Sequence, residues 1–440
     1  MRLSNFPEIR RIQHALLALL LAGGYGAAQT ISYTVHDLGT LGGATSQATA
    51  INRLGQVVGN STIASGQQHG FRTAANSSIN LLTDDLATLG GVETYAADIN
   101  SLGQVVGRSM LGTGIFHGFR TAPNTFINAR TDDLGTFGGL SSDASGINDS
   151  GQVTGGADTS DNRPHAYRTA PNHPIDGDTL DVGALAPVSG IPGTPFGTVI
   201  PTYGLRINNS GNLLGVIRGQ DVGPGYPQGF VYQDGTFTAL AIAGHGVFGG
   251  INDRNQFVMS TDVLSIVWNN GTPTLLCFCW LLAVNNSGQM VGGTPRGSEC
   301  CDLALLYSDG NFYALNSLIP ANSGWVLNAA TAINDRGQIA GYGVINGQTH
   351  AFRLDPPPAD LLAAEIRFLD SLGLPSGSAN ALQAILTTAQ AALRRGDTAT
   401  AGRQIGAFES MVRAQTNKSL TLDQASDLLS DADGVLQNLP

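Results

Sequence analysis

A nine-residue phrase, I-N-x-x-G-Q-V-V-G, recurs seven times, and a chain that repeats one phrase must build one unit repeatedly. The copies run from Ile51 to Gly59, Ile99 to Gly107, Ile147 to Gly155, Ile207 to Gly215, Ile251 to Met259, Val284 to Gly292 and Ile333 to Gly341. They start 48, 48, 60, 44, 33 and 49 residues apart. Each copy reads as a strand, a tight turn and a second strand. The side chains of Asn52, Asn100, Asn148, Asn208, Asn252, Asn285 and Asn334 can bond backbone two residues on. Three residues later Gly55, Gly103, Gly151, Gly211, Gly288 and Gly337 supply the left-handed conformation that closes a short hairpin. The fifth copy has Asn255 in place of glycine, the residue type next most tolerant of that conformation. These residues are therefore expected to be structural.

Two further elements follow each phrase. One is a short strand with an aromatic residue, as in His69-Gly70-Phe71-Arg72, His117-Gly118-Phe119-Arg120, His165-Ala166-Tyr167-Arg168 and His350-Ala351-Phe352-Arg353. The other is a strand such as Asp85-Leu86, Asp133-Leu134 or Asp181-Val182. Its seventh example stands alone near the amino end, Tyr33 to Leu38, with no partner before it. The first and last strands would thus complete one unit between them and remove the edges an open array exposes. Four strands per unit at this spacing predict an all-β fold, a seven-bladed β-propeller closed by pairing its N-terminal and C-terminal strands, over residues 31–354.

With charged residues at 12% and 58 glycines, the composition suits turn-rich β structure with a neutral polar surface. Net charge is −11 and Lys418 is the only lysine, which excludes a basic footprint for nucleic acid. Arg10 and Arg11 precede the apolar run Ala15 to Ala22 and the small residues Gly23 to Ala28. Residues 1–28 therefore read as a signal peptide, with no membrane span expected after cleavage.

The H-A-F-R, D-L-G-T-L-G-G and I-N-x-x-G-Q-V-V-G elements resemble the HAF-repeat family of extracellular repeat proteins, from about Ile31 to Leu354. The resemblance implies an exported repeat protein, without an assigned reaction or catalytic residue.

Beyond Leu354 the residues 355–358, Asp-Pro-Pro-Pro, read as a stiff linker, and residues 359–440 as a bundle of three or four helices. Leu382, Ile385, Leu386, Ala389 and Leu393 share one helical face, as do Ala401, Ile405, Phe408 and Val412. Thr421 with Gln424 reads as a capping box. Through Phe408, Val412, Gln415 and Leu420-Thr421 this tail resembles the FIMAH-type helical domain, which implies an accessory or docking module.

Candidates for chemistry are sparse. Cys277 and Cys279 enter the sixth unit, and Cys300 and Cys301 lie in its second loop; in an exported chain a disulfide across those loops is expected. Asp158, Asp161 and Asn162 offer oxygen atoms suited to calcium but lack a regular D-x-D-x-D-G spacing. The repeated histidines 69, 117, 165 and 350 occupy equivalent places in separate blades, where each is expected to bond within its own blade. The acidic pairs Asp84-Asp85 and Asp132-Asp133 recur likewise and read as strand-end residues. No G-x-S-x-G elbow, H-E-x-x-H or Walker loop is present, the Gly223-Pro224-Gly225 stretch does not follow a Rossmann strand, and no cofactor is expected. These readings favour a non-catalytic module presenting one loop face to a glycan, envelope component or protein. The alternative is a secreted carbohydrate-active hydrolase or lyase, which needs two carboxylates converging at one end of the channel.

Overall fold

In the computed structural model, residues 32–185, 201–217, 227–241, 248–261, 264–269, 271–277, 279–294 and 303–439 are described. The expected signal peptide lies outside them. Seven antiparallel sheets form, five with four strands and two with three, and together they are the seven blades of a β-propeller. The displaced N-terminal strand Thr34–Gly39 pairs with the last strand Gln348–Asp355, from Thr34 opposite Asp355 to Gly39 opposite Ala351. The seventh blade is thus built from both ends of the propeller sequence, as the offset of the repeat predicts.

The outer strands of the first two blades are shorter than expected. Each is a single bridge, Phe71 to Asp85 and Phe119 to Asp133. Left-handed residues two positions on, Ala87 and Gly135, donate their backbone N–H back to those aspartates at 2.8 Å and end the pairing there. Between blades the apolar faces interlock: Ala50 and Val58 of the first pack with Leu86, Ile99 and Phe119. Phe71, Phe119 and Phe352 are fully buried. A Cβ on Gly59 would run into the Phe71 ring at 2.8 Å, so the final glycine of the phrase is there for packing.

The asparagines of the phrase do more than shape turns. Asn52 Oδ1 accepts the N–H of Gln56 at 3.0 Å within its own hairpin, while its Nδ2 donates across to the carbonyl of Asn100 in the next blade at 3.1 Å. The same donation runs from Asn100 to Asn148, then to Asn208, Asn252, Asn285 and Asn334, at 3.0–3.1 Å. Asn334 returns to Asn52 at 2.9 Å. One buried amide per blade therefore forms a closed circle of hydrogen bonds around the axis.

Other repeated residues also join blades. Gln56 Nε2 reaches Asn124 of the second blade at 3.0 Å, Gln104 reaches Asn172 of the third at 3.1 Å, and Gln338 of the seventh reaches Asn76 of the first at 2.9 Å. Arg72 donates to the carbonyl of Thr125, Arg120 to that of His173 and Arg168 to that of Gly211, at 2.6–2.9 Å.

The tail forms four helices, α1 (Pro358–Ser371), α2 (Ser376–Arg394), α3 (Thr398–Gln415) and α4 (Leu422–Gln437). Leu382, Leu386, Ile405, Phe408, Val412 and Leu428 build its core, and the predicted faces are the buried ones. The Thr421–Gln424 capping box opens α4. Asp355 ends the last strand and Pro358 begins α1, so strand and helix are separated only by Pro356 and Pro357. Among the described residues no helix is long and apolar enough to cross a membrane.

Candidate functional site

The disc has two chemically distinct faces. On one, the hairpin turns converge, and beside the asparagine circle lies an arc formed by the next residue of the second to seventh copies, open at Arg53 of the first. Backbone N–H groups of Ser101, Asp149, Asn209, Asp253 and Asn286 donate to the side chains of Asp149, Asn209, Asp253, Asn286 and Asp335 in turn, at 2.7–2.9 Å. Asn209 Nδ2 bridges Asp149 and Asp253 at 3.0 and 3.2 Å. Asn286 bridges Asp253 and Asp335 at 3.1 and 2.8 Å. The hydrolase alternative requires converging carboxylates; the three of this arc, Asp149, Asp253 and Asp335, are bound into a network of amides that holds neighbouring blades together.

The helical tail docks on this turn face, across the seam between the first and seventh blades. Arg53 of the first blade and Arg336 of the seventh both pair with Asp431 of α4; the Arg336 contact is 2.9 Å. Arg53 also lies 3.2 Å from Glu365 of α1 and stacks on the Phe368 ring. Both carboxylates are buried. Burial together with the charge of Asp431 pushes Glu365 well above the usual carboxylate range. Burial works against Asp431 as well, but Arg336, a hydrogen bond from Glu365 and Arg53 outweigh it and keep it ionised. Of the two carboxyls, Glu365 is thus the one whose ionisation the site disfavours and Asp431 the one whose ionisation it favours. Nearby, burial raises Asp427 of α4 to about 6, against the pull of Arg53 and with Asp431, Asp423 and the arc residue Asp149 adding to the rise.

At the seam, Asp355 is fully buried. Burial alone would raise it, but hydrogen bonds from His36 and Arg353 hold its carboxyl well below the usual range. Asn438, just beyond α4, donates to it at 3.2 Å, so the tail is tied to the strand that closes the ring.

The repeated histidines fall where the sequence places them. His69, His117, His165 and His350 point Nδ1 at Asp85, Asp133, Asp181 and Asp37 at 2.8–3.0 Å. Each pair lies within one blade, and the four do not converge. Asp84 and Asp132 accept the backbone N–H of Asn80 and Asn128 at 2.8 Å, a turn role for both.

Of the candidate calcium ligands, Asp158 accepts from the backbone and hydroxyl of Ser141 at 3.1 and 2.6 Å. Asp161 is engaged by Thr159 and by Arg163 at 3.3 Å. Asn162 sits at the tip in the left-handed conformation. Among the described residues no three His, Cys, Asp or Glu side chains gather as a metal site. Cys277 and Cys279 are bonded to each other, with Cα atoms 5.3 Å apart. Cys300 and Cys301, on which a bridge between loops would depend, lie outside the described residues.

The opposite face carries the loops that enter each inner strand and the turns between second and third strands. There the second blade departs from its neighbours. Tyr95 and Phe116 lie 6.0 Å apart, tilted by 54°. The Arg108 guanidinium lies over both rings, at 4.9 and 5.1 Å. Tyr95 Oη donates to Glu93 Oε2 at 3.1 Å. Burial, followed by the neighbouring Glu93 charge and that hydrogen bond, raises the Tyr95 phenol. None of these four residues belongs to the repeated phrase or to a recognised motif. The available signal was their departure from the repeat: the matching positions hold Gln47, Asn60 and Gln68 in the first blade and Asp143, Gly156 and Pro164 in the third.

No family model and no curated protein matches the chain. Solved structures with a similar fold include AofleA from Arthrobotrys oligospora, at 11% identity and TM-score 0.35 over 66% of this chain and 90% of that one. AztD from Citrobacter koseri matches at 10% and 0.32, over 69% and 80%. The SapL1 lectin, solved with alpha methyl fucoside, matches at 12% and 0.31, over 70% and 95%. At such identities and TM-scores these likenesses do not bear on the ligand of this chain.

Proposed function

We propose that this chain is an exported, non-catalytic binding module that offers the loop face, opposite the helical tail, to an extracellular ligand: a glycan, an envelope component or a protein. The observation that carries the reading is the use of the repeated polar groups. The asparagines, glutamines, arginines and histidine–aspartate pairs of the repeat are engaged in joining or stiffening blades, and the tail occupies the turn face at the seam. The loop face carries side chains that differ from blade to blade, which is where a rigid scaffold places recognition.

The test is a screen of the chain from residue 29 onward against a glycan array, isolated envelope polymers and chromogenic glycosides. Saturable binding without turnover is expected. Turnover of a glycoside with no stable binding would replace this reading with the hydrolase.

A further inference from the structure

We infer that the Glu93–Tyr95–Arg108–Phe116 cluster of the second blade is a subsite for a neutral saccharide, held through a pair of adjacent hydroxyls. The inference rests on the binding reading above and gives it a place and a ligand class.

The cluster lies at the loop-face end of its blade. Glu93 follows the Gly90-Gly91 loop on the inner strand Gly90–Ile99, and Phe116 opens the third strand directly after a tight turn. The Asn100 turn, and with it the tail-bearing face, is at the other end of the same inner strand.

Arg108 is exposed and has no hydrogen bond or ion pair to any described residue. It is nevertheless fixed, because both rings lie beneath its guanidinium. A cation stacked this way keeps its edge donors facing outward. At the same repeat position Asn60 in the first blade bonds across to the backbone of Ala96 at 2.8 Å, which is the blade-joining use. In the third blade the position is Gly156, whose N–H donates to Asp143 at 2.8 Å. Arg108 abandons that use and turns its donors to solvent.

Glu93 supplies the complement. One of its carboxylate oxygens accepts from Tyr95, which orients the group, and the other has no donor among the described residues. Donors on Arg108 and an acceptor on Glu93 match a vicinal diol, whose hydroxyls both accept and donate. One positive and one negative group give a balanced site, and a chain of net charge −11 repels polyanions, so a neutral sugar fits better than a charged one. The edge of the half-buried Phe116 ring offers apolar surface for the C–H face of a pyranose.

The experiment uses the chain from residue 29 onward and the methyl glycosides of mannose, galactose, fucose and N-acetylglucosamine, read by saturation-transfer NMR and calorimetry. Arg108→Ala and Glu93→Gln should each weaken binding at least about tenfold, and Arg108→Lys nearly as much, because the fork geometry is lost. Arg130→Ala, an exposed arginine elsewhere in the blade, should bind as the parent does. All four should melt at the parental temperature, which separates lost contacts from lost folding. Binding that survives both Arg108→Ala and Glu93→Gln overturns the subsite and leaves the binding reading standing. A parent that ignores all four glycosides but binds an envelope polymer or protein overturns the ligand class. A parent that binds nothing in either screen overturns both.

Discussion

Replacing Asn334 by aspartate tests the asparagine circle where it matters most, at the bond that closes it. Asn334 Nδ2 donates to the Asn52 carbonyl at 2.9 Å and to Gln338 Oε1 at 2.8 Å, and its Oδ1 accepts from the N–H groups of Arg336 and Gln338 at 3.1 and 3.0 Å. Aspartate keeps both acceptances and loses both donations. It also aims a carboxylate oxygen at two buried acceptors. Gln338 cannot flip to help, because its Nε2 is committed to Asn76 and Asp355 at 2.9 and 2.8 Å. Two lost hydrogen bonds at about 1 kcal/mol each, plus about 1–3 kcal/mol for acceptors left unsatisfied, give a loss of roughly 3–5 kcal/mol. That is a large part of the stability of an ordinary domain. Urea unfolding should report it as a lower midpoint with an unchanged slope. Amide exchange should accelerate first in Thr34–Gly39, the strand that the seam holds. The introduced carboxyl would have its folded pKa raised, so its charge penalty is present above the unfolded value of about 4 and fades as pH falls below the folded one. The variant should therefore recover part of its deficit at mildly acidic pH, where protonation restores one donor. A loss under about 1 kcal/mol, or no recovery on acidification, would show that the amide circle is incidental to closure.

Two further outcomes concern the junction of tail and disc. Asp431→Ala leaves Arg53 and Arg336 facing Glu365 alone in a buried site and should cost about 3–5 kcal/mol of docking, seen as faster amide exchange in α4. Asp431→Asn should cost less, because its amide oxygen can still accept from one of the arginines that alanine would leave without a side-chain partner on α4; in either variant Glu365 is relieved of the Asp431 charge, so adding Glu365→Gln should deepen the loss in a double-mutant cycle. As to pH, Asp427 titrates at about 6, above its unfolded value of about 4, so its penalty operates above pH 6 and is relieved between 6 and 4. Asp355 has the opposite sign: held low, it stabilises above about pH 4 and that stability is lost as pH falls further. Melting temperature should therefore be highest near about pH 4, fall between about 4 and 6 and level off above, and Asp427→Asn should remove the fall between 4 and 6.

The architecture was legible because its signal is spread over the whole chain. A repeat read seven times tolerates poor copies: Asn255 takes the left-handed conformation that glycine takes elsewhere, and the lone strand at Tyr33 to Leu38 finds the partner that the offset requires. Helix faces in the tail were legible for the same reason, since Ile405, Phe408 and Val412 repeat at helical spacing. Less legible was what the repeated polar residues do. Asn52 satisfies a local turn and an inter-blade bond with opposite ends of one amide, and a local reading of spacing finds only the first. Gln56 likewise serves its own turn through Oε1, which accepts from Asn52, and the next blade through Nε2, while Arg72 lies outside the turn and its long charged side chain was the available clue to a contact across blades. The Arg53–Arg336–Asp431–Glu365 network joins residues 378 positions apart in one of its pairs, and no periodicity connects them.

A repeat protein divides its residues into those that every unit must have and those that one unit alone carries. The first kind is fixed by closure. With seven blades sharing one axis, a change in any copy of the asparagine phrase is felt by two interfaces, since each Asn donates to the next blade while its carbonyl accepts from the previous one. Such positions cannot also adapt to a ligand, because the geometry that would suit the ligand would open the ring. The second kind is free of that constraint: where Asn60 bridges blades, Arg108 at the same position does not, and the second blade still closes through Asn100 and Gln104. Function on this scaffold should therefore be sought at departures from the repeat on the uncovered face, and the arginine stacked on Tyr95 and Phe116 is such a departure, with its hydrogen-bonding capacity still to be met.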